Sequence, residues 1–285
     1  MTPGSESAAH AMTPLAARTA WTDLPHQVRS AIHERAGEVH EVSVISRGLN
    51  AMFTARLRTD TGDIFTKGVP STHAAAQRRE AAINPRVQPI APRLLWEIDT
   101  QGWHVLGFEH LDGRPADLGP LSADLTAVAG VLDQLAELEA PDGAYKRIEN
   151  RWADAAEYIG ADTGLLAGDH LLHTDLNPHN FLITDSGPRI VDWSWPTLGA
   201  AWIDVACAAL WLIAEGHSPS EAESWAAKTA AWEAASDPAL DAFTTINTAL
   251  WAQIAADDPR PWKERLYQSA TTWAEYRARR SGPPQ

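Results

Sequence analysis

The 285-residue chain has a single cysteine, Cys207. A lone thiol closes no disulfide within the chain and leaves no thiolate set from which to build a zinc cage. Basic residues are scarce as well. The 23 Lys and Arg stand against 37 Asp and Glu, a formal net charge of −14. That balance lacks the basic footprint that general nucleic-acid binding requires. Long apolar runs are missing too. The most apolar stretch, 201–214 (AWIDVACAALWLIA), is one helix long and carries Asp204, whereas a bilayer span needs about 20 apolar residues. Residues 1–20 have neither the basic start nor the apolar centre of a secretory signal. Neither GxxxxGK[ST] nor GxGxxG occurs, which argues against P-loop and dinucleotide-binding folds. The reading is a protein of the reducing cytoplasm, without nucleic-acid or membrane partners.

Hydrophobic residues make up 45% of the chain, enough to bury a core in one large domain or two lobes. Residues 1–35 read as a loosely patterned segment followed by a helix over 21–35, starting near Thr22 or Asp23. From Val39 the hydrophobic period shortens. EVSVIS, MFTARLRT and DIFTKGV alternate or are β-rich, with the turn TDTGD between the last two. HAAAQRREAAI (73–83) reads as a helix that Asn84-Pro85 ends. RLLWEID and WHVLGFEHL then read as two strands about the turn DTQG. Beyond the linker-like GRPADLGP, Leu121, Leu125, Val128, Leu132, Leu135 and Leu138 recur at helical steps, and Pro141-Asp142-Gly143 stops that helix. A second helix is expected over 151–159, and most of the chain after residue 193 reads as helical. Nine of the 13 tryptophans fall between Trp193 and Trp273, and packing is their expected role. The sum is an α+β protein with a small antiparallel β-rich part at 36–108 and a larger helical part at 109–285.

The densest chemistry sits in LLHTDLNPHNFLITDSGPRIVDW, residues 171–193. FLIT and PRIVDW flank the turn signal Asp185-Ser186-Gly187. Antiparallel pairing centred on Ser186 would set Asn180 opposite Asp192. A carboxamide and a carboxylate supply the hard oxygens that Mg²⁺ takes, with phosphate and water completing its shell. Asp175, five residues before Asn180, can reach the same point on one loop. A carboxylate that accepts a hydroxyl proton, beside two groups that hold metal on a nucleotide, suits phosphoryl transfer.

The pattern His173-x-Asp175-x-x-x-x-Asn180, followed by Asp192, resembles the catalytic loop and metal-binding aspartate of the protein kinase-like phosphotransferases. "LHTDLNPHNFLI…IVDWSWP" looks most like the aminoglycoside phosphotransferase branch. The resemblance implies a protein kinase-like two-lobed fold and a reaction that uses ATP, or GTP as an alternative, with Mg²⁺. It implies that Asp175 is the catalytic base, that Asn180 and Asp192 bind metal, and that His173 and Asp204 support the loop. It puts a phosphate-side lysine at Lys67 with its helical partner at Glu80. It puts the adenine edge on backbone groups from Glu109 to Leu111, and the loop covering the nucleotide at 46–50, including Ser46 and Gly48. That loop holds a single glycine. Thr174 stands where the family often has glycine, and His179 receives no role. The 36–108 part would cover the nucleotide, and the 109–285 part would hold the catalytic loop and acceptor site.

The short run from Asp192 to Asp204 is shorter than a protein-kinase activation segment, so the acceptor is expected to be a small molecule with a hydroxyl. Candidates are an aminoglycoside-like antibiotic, an amino sugar or another small alcohol. A cationic acceptor could find Glu215, Glu221, Glu223, Asp257 and Asp258 on the later helices, although ordinary solvated helix surface is the preferred reading of these residues. Two rival readings remain. One is a non-catalytic kinase-like protein that binds nucleotide. The other is a metal-dependent hydrolase using His170, His173, Asp175 and His179.

Overall fold

A computed structural model describes residues 18–45, 51–143 and 145–281. In chain order the elements are α1 (His26–Ala36), β1 (Val39–Val44), β2 (Phe53–Thr59), β3 (Gly62–Pro70), α2 (Ala75–Val87), β4 (Leu94–Thr100), β5 (Trp103–Glu109) and β6 (Gly113–Pro115). There follow α3 (Asp124–Ala136), β7 (Lys146–Arg147), α4 (Ile148–Arg151), α5 (Ala153–Ile159), β8 (His170–Leu172), β9 (Phe181–Thr184), β10 (Gly187–Ile190) and β11 (Thr197–Gly199). The last four helices are α6 (Trp202–Ala214), α7 (Pro219–Ala226), α8 (Asp237–Asp257) and α9 (Pro261–Ser281). The chain divides into two compact units. Among the described residues, one comprises 18–114 together with Thr184–Trp195, and the other comprises Pro115–Ile183 and residues from Pro196.

The first unit is built on a five-stranded antiparallel sheet in the order β1-β2-β3-β5-β4. Its core gathers Val28 and Ile32 of α1, Phe53, Ala55 and Leu57 of β2, and Ile64, Ile98 and Val105 of the neighbouring strands. Alternation on β2 follows from one face being packed, because successive side chains point to opposite faces. Two expectations fail at prolines. α1 begins at His26, after a single 3-10 turn at Trp21–Asp23. Pro25 explains this, since the residue before a proline is pushed to extended backbone, and Leu24 has ψ 141°. α2 runs through Pro85 to Val87. The proline forgoes one amide bond, yet Ile83 and Val87 are both fully buried. The Asn84 side chain also bridges to Pro92 and Leu94 at 2.8 Å each.

The second unit is mainly helical, with a small sheet in the order β7-β11-β8. α6 is buried along nearly its whole length. Phe243 of α8 takes the edges of Trp152, Trp202 and Trp273 at centroid distances of 5.7–5.8 Å, so these tryptophans are packing mass. α3 buries Val128, Leu132 and Leu135, as its spacing predicts. Leu121 is not part of that face. It precedes the helix with φ 69° and is 99% exposed. α3 also ends at Ala136, before the Pro141-Asp142-Gly143 stop, and 148–159 holds two short helices instead of one.

The turn between β9 and β10 occupies two residues, Asp185 and Ser186. Thr184 closes it by donating from its hydroxyl to the Gly187 carbonyl at 2.7 Å. Its symmetry point therefore lies between Asp185 and Ser186. The count about Ser186 that pairs Asn180 with Asp192 does not hold, and at Asp192 the backbone has left the extended region, with φ 65°.

Candidate active site

β3 is an inner strand, paired through Lys67 to Thr54 of β2 and to Leu106 of β5. Its place between β2 and β5 puts Lys67 in the interior, 7% exposed. α2 buries Gln77, Glu80, Ala81 and Asn84 along one stripe, and this helical spacing brings Glu80 to the lysine. Lys67 Nζ lies 2.5 Å from Glu80 Oε2 and 3.1 Å from Asp192 Oδ1. The same Asp192 oxygen accepts from the buried Ser194 hydroxyl at 2.6 Å. Glu80 also accepts from the backbone N–H of Trp193, and Arg79 stacks over the Trp195 ring at 5.1 Å. Two successive residues of α2 thus grip the segment that follows Asp192.

Burial and this shared ammonium shift the titration of both Lys67 and Glu80. Burial alone would lower the Lys67 pKa, but the charges of Asp192 and Glu80 outweigh it and hold the amine above its ordinary value. Burial lifts the Glu80 carboxyl to about 7; Lys67 opposes the rise and the Asp192 charge adds to it.

The helical unit carries the other group. β8 leads into the loop at His173, and the chain then turns through a 3-10 helix at Pro178–Asn180. Asn177 caps that turn by accepting from the His179 N–H at 3.0 Å, with Pro178 at the first position. Asp204, in the first turn of α6, accepts from the His173 N–H at 2.7 Å and the Thr174 N–H at 2.8 Å. Burial raises the Asp204 pKa, while His173 and these two amides pull it down. His173 Nδ1 accepts from the Asp175 N–H at 3.2 Å. The Asp175 carboxylate accepts from Asn177 Nδ2 at 3.1 Å. Asn180 Nδ2 donates to the Asp175 carbonyl at 2.7 Å, so the carboxamide nitrogen is spent on the loop. Cys207, one turn along α6 from Asp204, is buried, and burial pushes its thiol pKa up, as for an inert core thiol.

The structure therefore brings together Lys67, Glu80 and Asp192 in one unit, and His173, Asp175, Asn180 and Asp204 in the other. Glu109 ends β5, where its amide donates to the Arg93 carbonyl and its carboxylate accepts from the Arg93 amide, both at 2.9 Å. The Glu109 N–H is thus committed within the sheet. Leu111 follows the strand in irregular backbone. Ser46 and Gly48 lie outside the described residues. The hydrolase set does not converge: among the described residues no three His, Cys, Asp or Glu side chains are gathered where one metal ion would sit, and His170 and His179 are exposed. Most of the acidic set proposed for a cation is already used. Glu223 binds Arg277 and Arg280, Asp258 binds Arg260 and Lys263, and Glu221 closes a capping box.

No protein-family model matches the chain, and no curated protein matches it in sequence. Solved structures do match. Choline kinase LicA from Streptococcus pneumoniae superposes with a TM-score of 0.60 at 14% identity, over 88% of this chain and 98% of its own. An aminoglycoside phosphotransferase from Alicyclobacillus acidocaldarius gives 0.61 at 13%, over 88% and 93%. A thermostable mutant of aminoglycoside phosphotransferase APH(4)-Ia gives 0.60 at 15%, over 89% and 99%. The chain has a protein kinase-like fold. At these identities the likeness is one of fold.

Within this kinase-like fold, several groups around the site carry no sequence signal of their own. Ser194 and Asn177 touch the two aspartates, yet a serine two residues from an aspartate is commonplace. Arg151 donates to Thr174 Oγ1 at 2.5 Å and to Thr197 Oγ1 at 2.9 Å. Only the fold brings residues so far apart in sequence to one nitrogen.

Proposed function

We propose that the protein is a phosphotransferase that uses ATP and Mg²⁺ to phosphorylate a hydroxyl of a small molecule. The observation that carries this reading is the buried Lys67 ammonium held between Glu80 and Asp192. Such an arrangement desolvates a fixed positive charge for phosphate oxygens and keeps a carboxylate at its side for the metal.

In this reading the two groups of residues serve one reaction. Lys67, kept in place by Glu80, neutralises nucleotide phosphate charge. Asp175 accepts the proton of the acceptor hydroxyl as its oxygen attacks the terminal phosphorus, and ADP leaves. The Asn177 donor orients the Asp175 carboxylate, and Asp204 fixes the loop backbone through two amides. Asn180 and Asp192 offer the hard oxygen donors that Mg²⁺ prefers, and the bond from Asn180 Nδ2 to the loop leaves its Oδ1 as the coordinating end. Bound Mg²⁺ would supply charge neutralisation on the phosphates. The backbone at Glu109–Leu111 and the loop at 46–50 are assigned to the nucleotide, and the helical part at 109–285 to the acceptor. LicA has a structure with AMP, and a thermostable mutant of APH(4)-Ia has one with AMP-PNP and hygromycin B, which favours a nucleotide and a small-molecule acceptor over the hydrolase reading.

The test is ADP release from Mg-ATP across a panel of aminoglycosides, amino sugars and nucleosides. Asp175→Asn should lower acceptor-dependent turnover by about 10²–10⁴-fold with nucleotide affinity retained, the usual contribution of a positioned base. Turnover near wild type in that variant would reject the base assignment. Nucleotide binding without turnover on any acceptor would favour the non-catalytic reading.

A further inference from the structure

Thr174 sits at φ 66°, between His173 and Asp175. Left-handed backbone at a β-branched residue is an outlier, and such conformations persist only where the surroundings over-determine them. Here the surroundings are specific. Thr174 N–H is fixed on Asp204 Oδ1. On the side-chain side, one nitrogen of Arg151 donates both to Thr174 Oγ1 and to Thr197 Oγ1. Thr197 is buried on β11 and pairs with Leu172 of β8, the residue that feeds the loop. Arg151 ends α4, whose Ile148 is fully buried. The guanidinium thus ties the strained residue to the strand beside it, from an anchored helix end.

We infer that Arg151 is a positioning residue: acting through Thr174, it locks the left-handed turn that aims the Asp175 carboxylate. The catalytic consequence rests on the phosphotransferase reading above; the lock itself does not. If Arg151 merely fastens α4 to β11 through Thr197, its loss costs the same whatever residue stands at 174. If it holds the turn, a glycine at 174 makes it dispensable, because glycine enters the left-handed region without penalty.

The experiment compares wild type with Arg151→Met, Thr174→Gly and the double variant in the full chain. Amide hydrogen exchange is followed in a peptide covering 171–177. The lock requires Arg151→Met to speed exchange of the His173 and Thr174 amides, and the double variant to return both to the level of Thr174→Gly alone. In parallel, ADP release should show kcat falling by about 10²-fold in Arg151→Met, the scale of a small misplacement of a reacting group. KM for ATP should be unchanged and kcat should recover in the double variant. Unchanged exchange in Arg151→Met, or exchange and kcat that stay impaired in the double variant, would overturn the lock. Absence of ADP release from wild type would instead reject the phosphotransferase reading, with the exchange comparison still deciding whether Arg151 holds the turn.

Discussion

Glu80 is the residue at which charge and stability are most tightly joined. Its carboxyl titrates near 7 in the folded chain, against an ordinary value of 4.5. Between those two values the folded chain keeps a proton that the unfolded chain has released. Folding therefore loses stability as pH rises from about 4.5 to about 7, and the loss stops there. Glu80→Gln has no such slope. The melting temperature of the variant minus that of wild type should climb across this window and be level above it. A difference that stays level across the window would mean that the Glu80 carboxylate is already ionised there. Lys67, Glu80, Asp175, Asn180 and Asp192 were all legible in the sequence, because their order and spacing match a known pattern. Ser194 and Arg151 were not. Their roles depend on which hydroxyl or guanidinium the fold delivers to a given oxygen, and no local period records that.

Among the elements, α9 shows how much the helical unit relies on one buried cation. Arg277, 2% exposed, reaches Glu223 of α7 at 3.0 Å, Asp237 at 2.5 Å and Asp241 at 2.6 Å, both of α8. Burial would lower its pKa, but the three carboxylates hold it above the ordinary arginine value. Arg277→Met takes one cation from the largely buried Glu223, which keeps Arg280 at 2.6 Å and the Trp273 N–H at 2.9 Å, and takes a partner from Asp241, while Asp237 is largely exposed and loses little. The expected cost is about 3 kcal/mol in urea unfolding, the low end for a broken buried pair. A cost below about 1 kcal/mol would put the cluster with ordinary surface pairs. On β5, a Cβ at Gly107 would lie 2.2 Å from the Trp96 ring. Gly107→Ala should therefore destabilise by about 1–3 kcal/mol, as overpacked sites do, and an unchanged urea midpoint would contradict that contact. The meander β1–β5 was readable from alternation and turn residues. The end of α2 was not, because the packing of Ile83 and Val87 overrides the proline between them. β7 and β11, two and three residues long, are too short to leave a pattern.

For the whole molecule, the five-stranded antiparallel sheet and the helical part were both visible as a change of hydrophobic period along the chain. The functional consequence concerns ligand linkage. Mg-ATP bound only by the folded state should raise the melting temperature, by about 2.7 kcal/mol of stability at about 100-fold excess over Kd. Chelating the metal with EDTA should remove most of that gain, and Asp192→Ala should abolish it; an equal gain in the variant would deny Asp192 its metal role. Among the described residues no helix is long and apolar enough to cross a membrane. The central claim, a hydroxyl phosphotransferase with Asp175 as base, meets its most direct test in acceptor-dependent ADP release from Mg-ATP by wild type and Asp175→Asn side by side. Turnover by wild type on at least one hydroxylated acceptor, lost in the variant with ATP affinity intact, is the expected result; equal turnover in both proteins would contradict it.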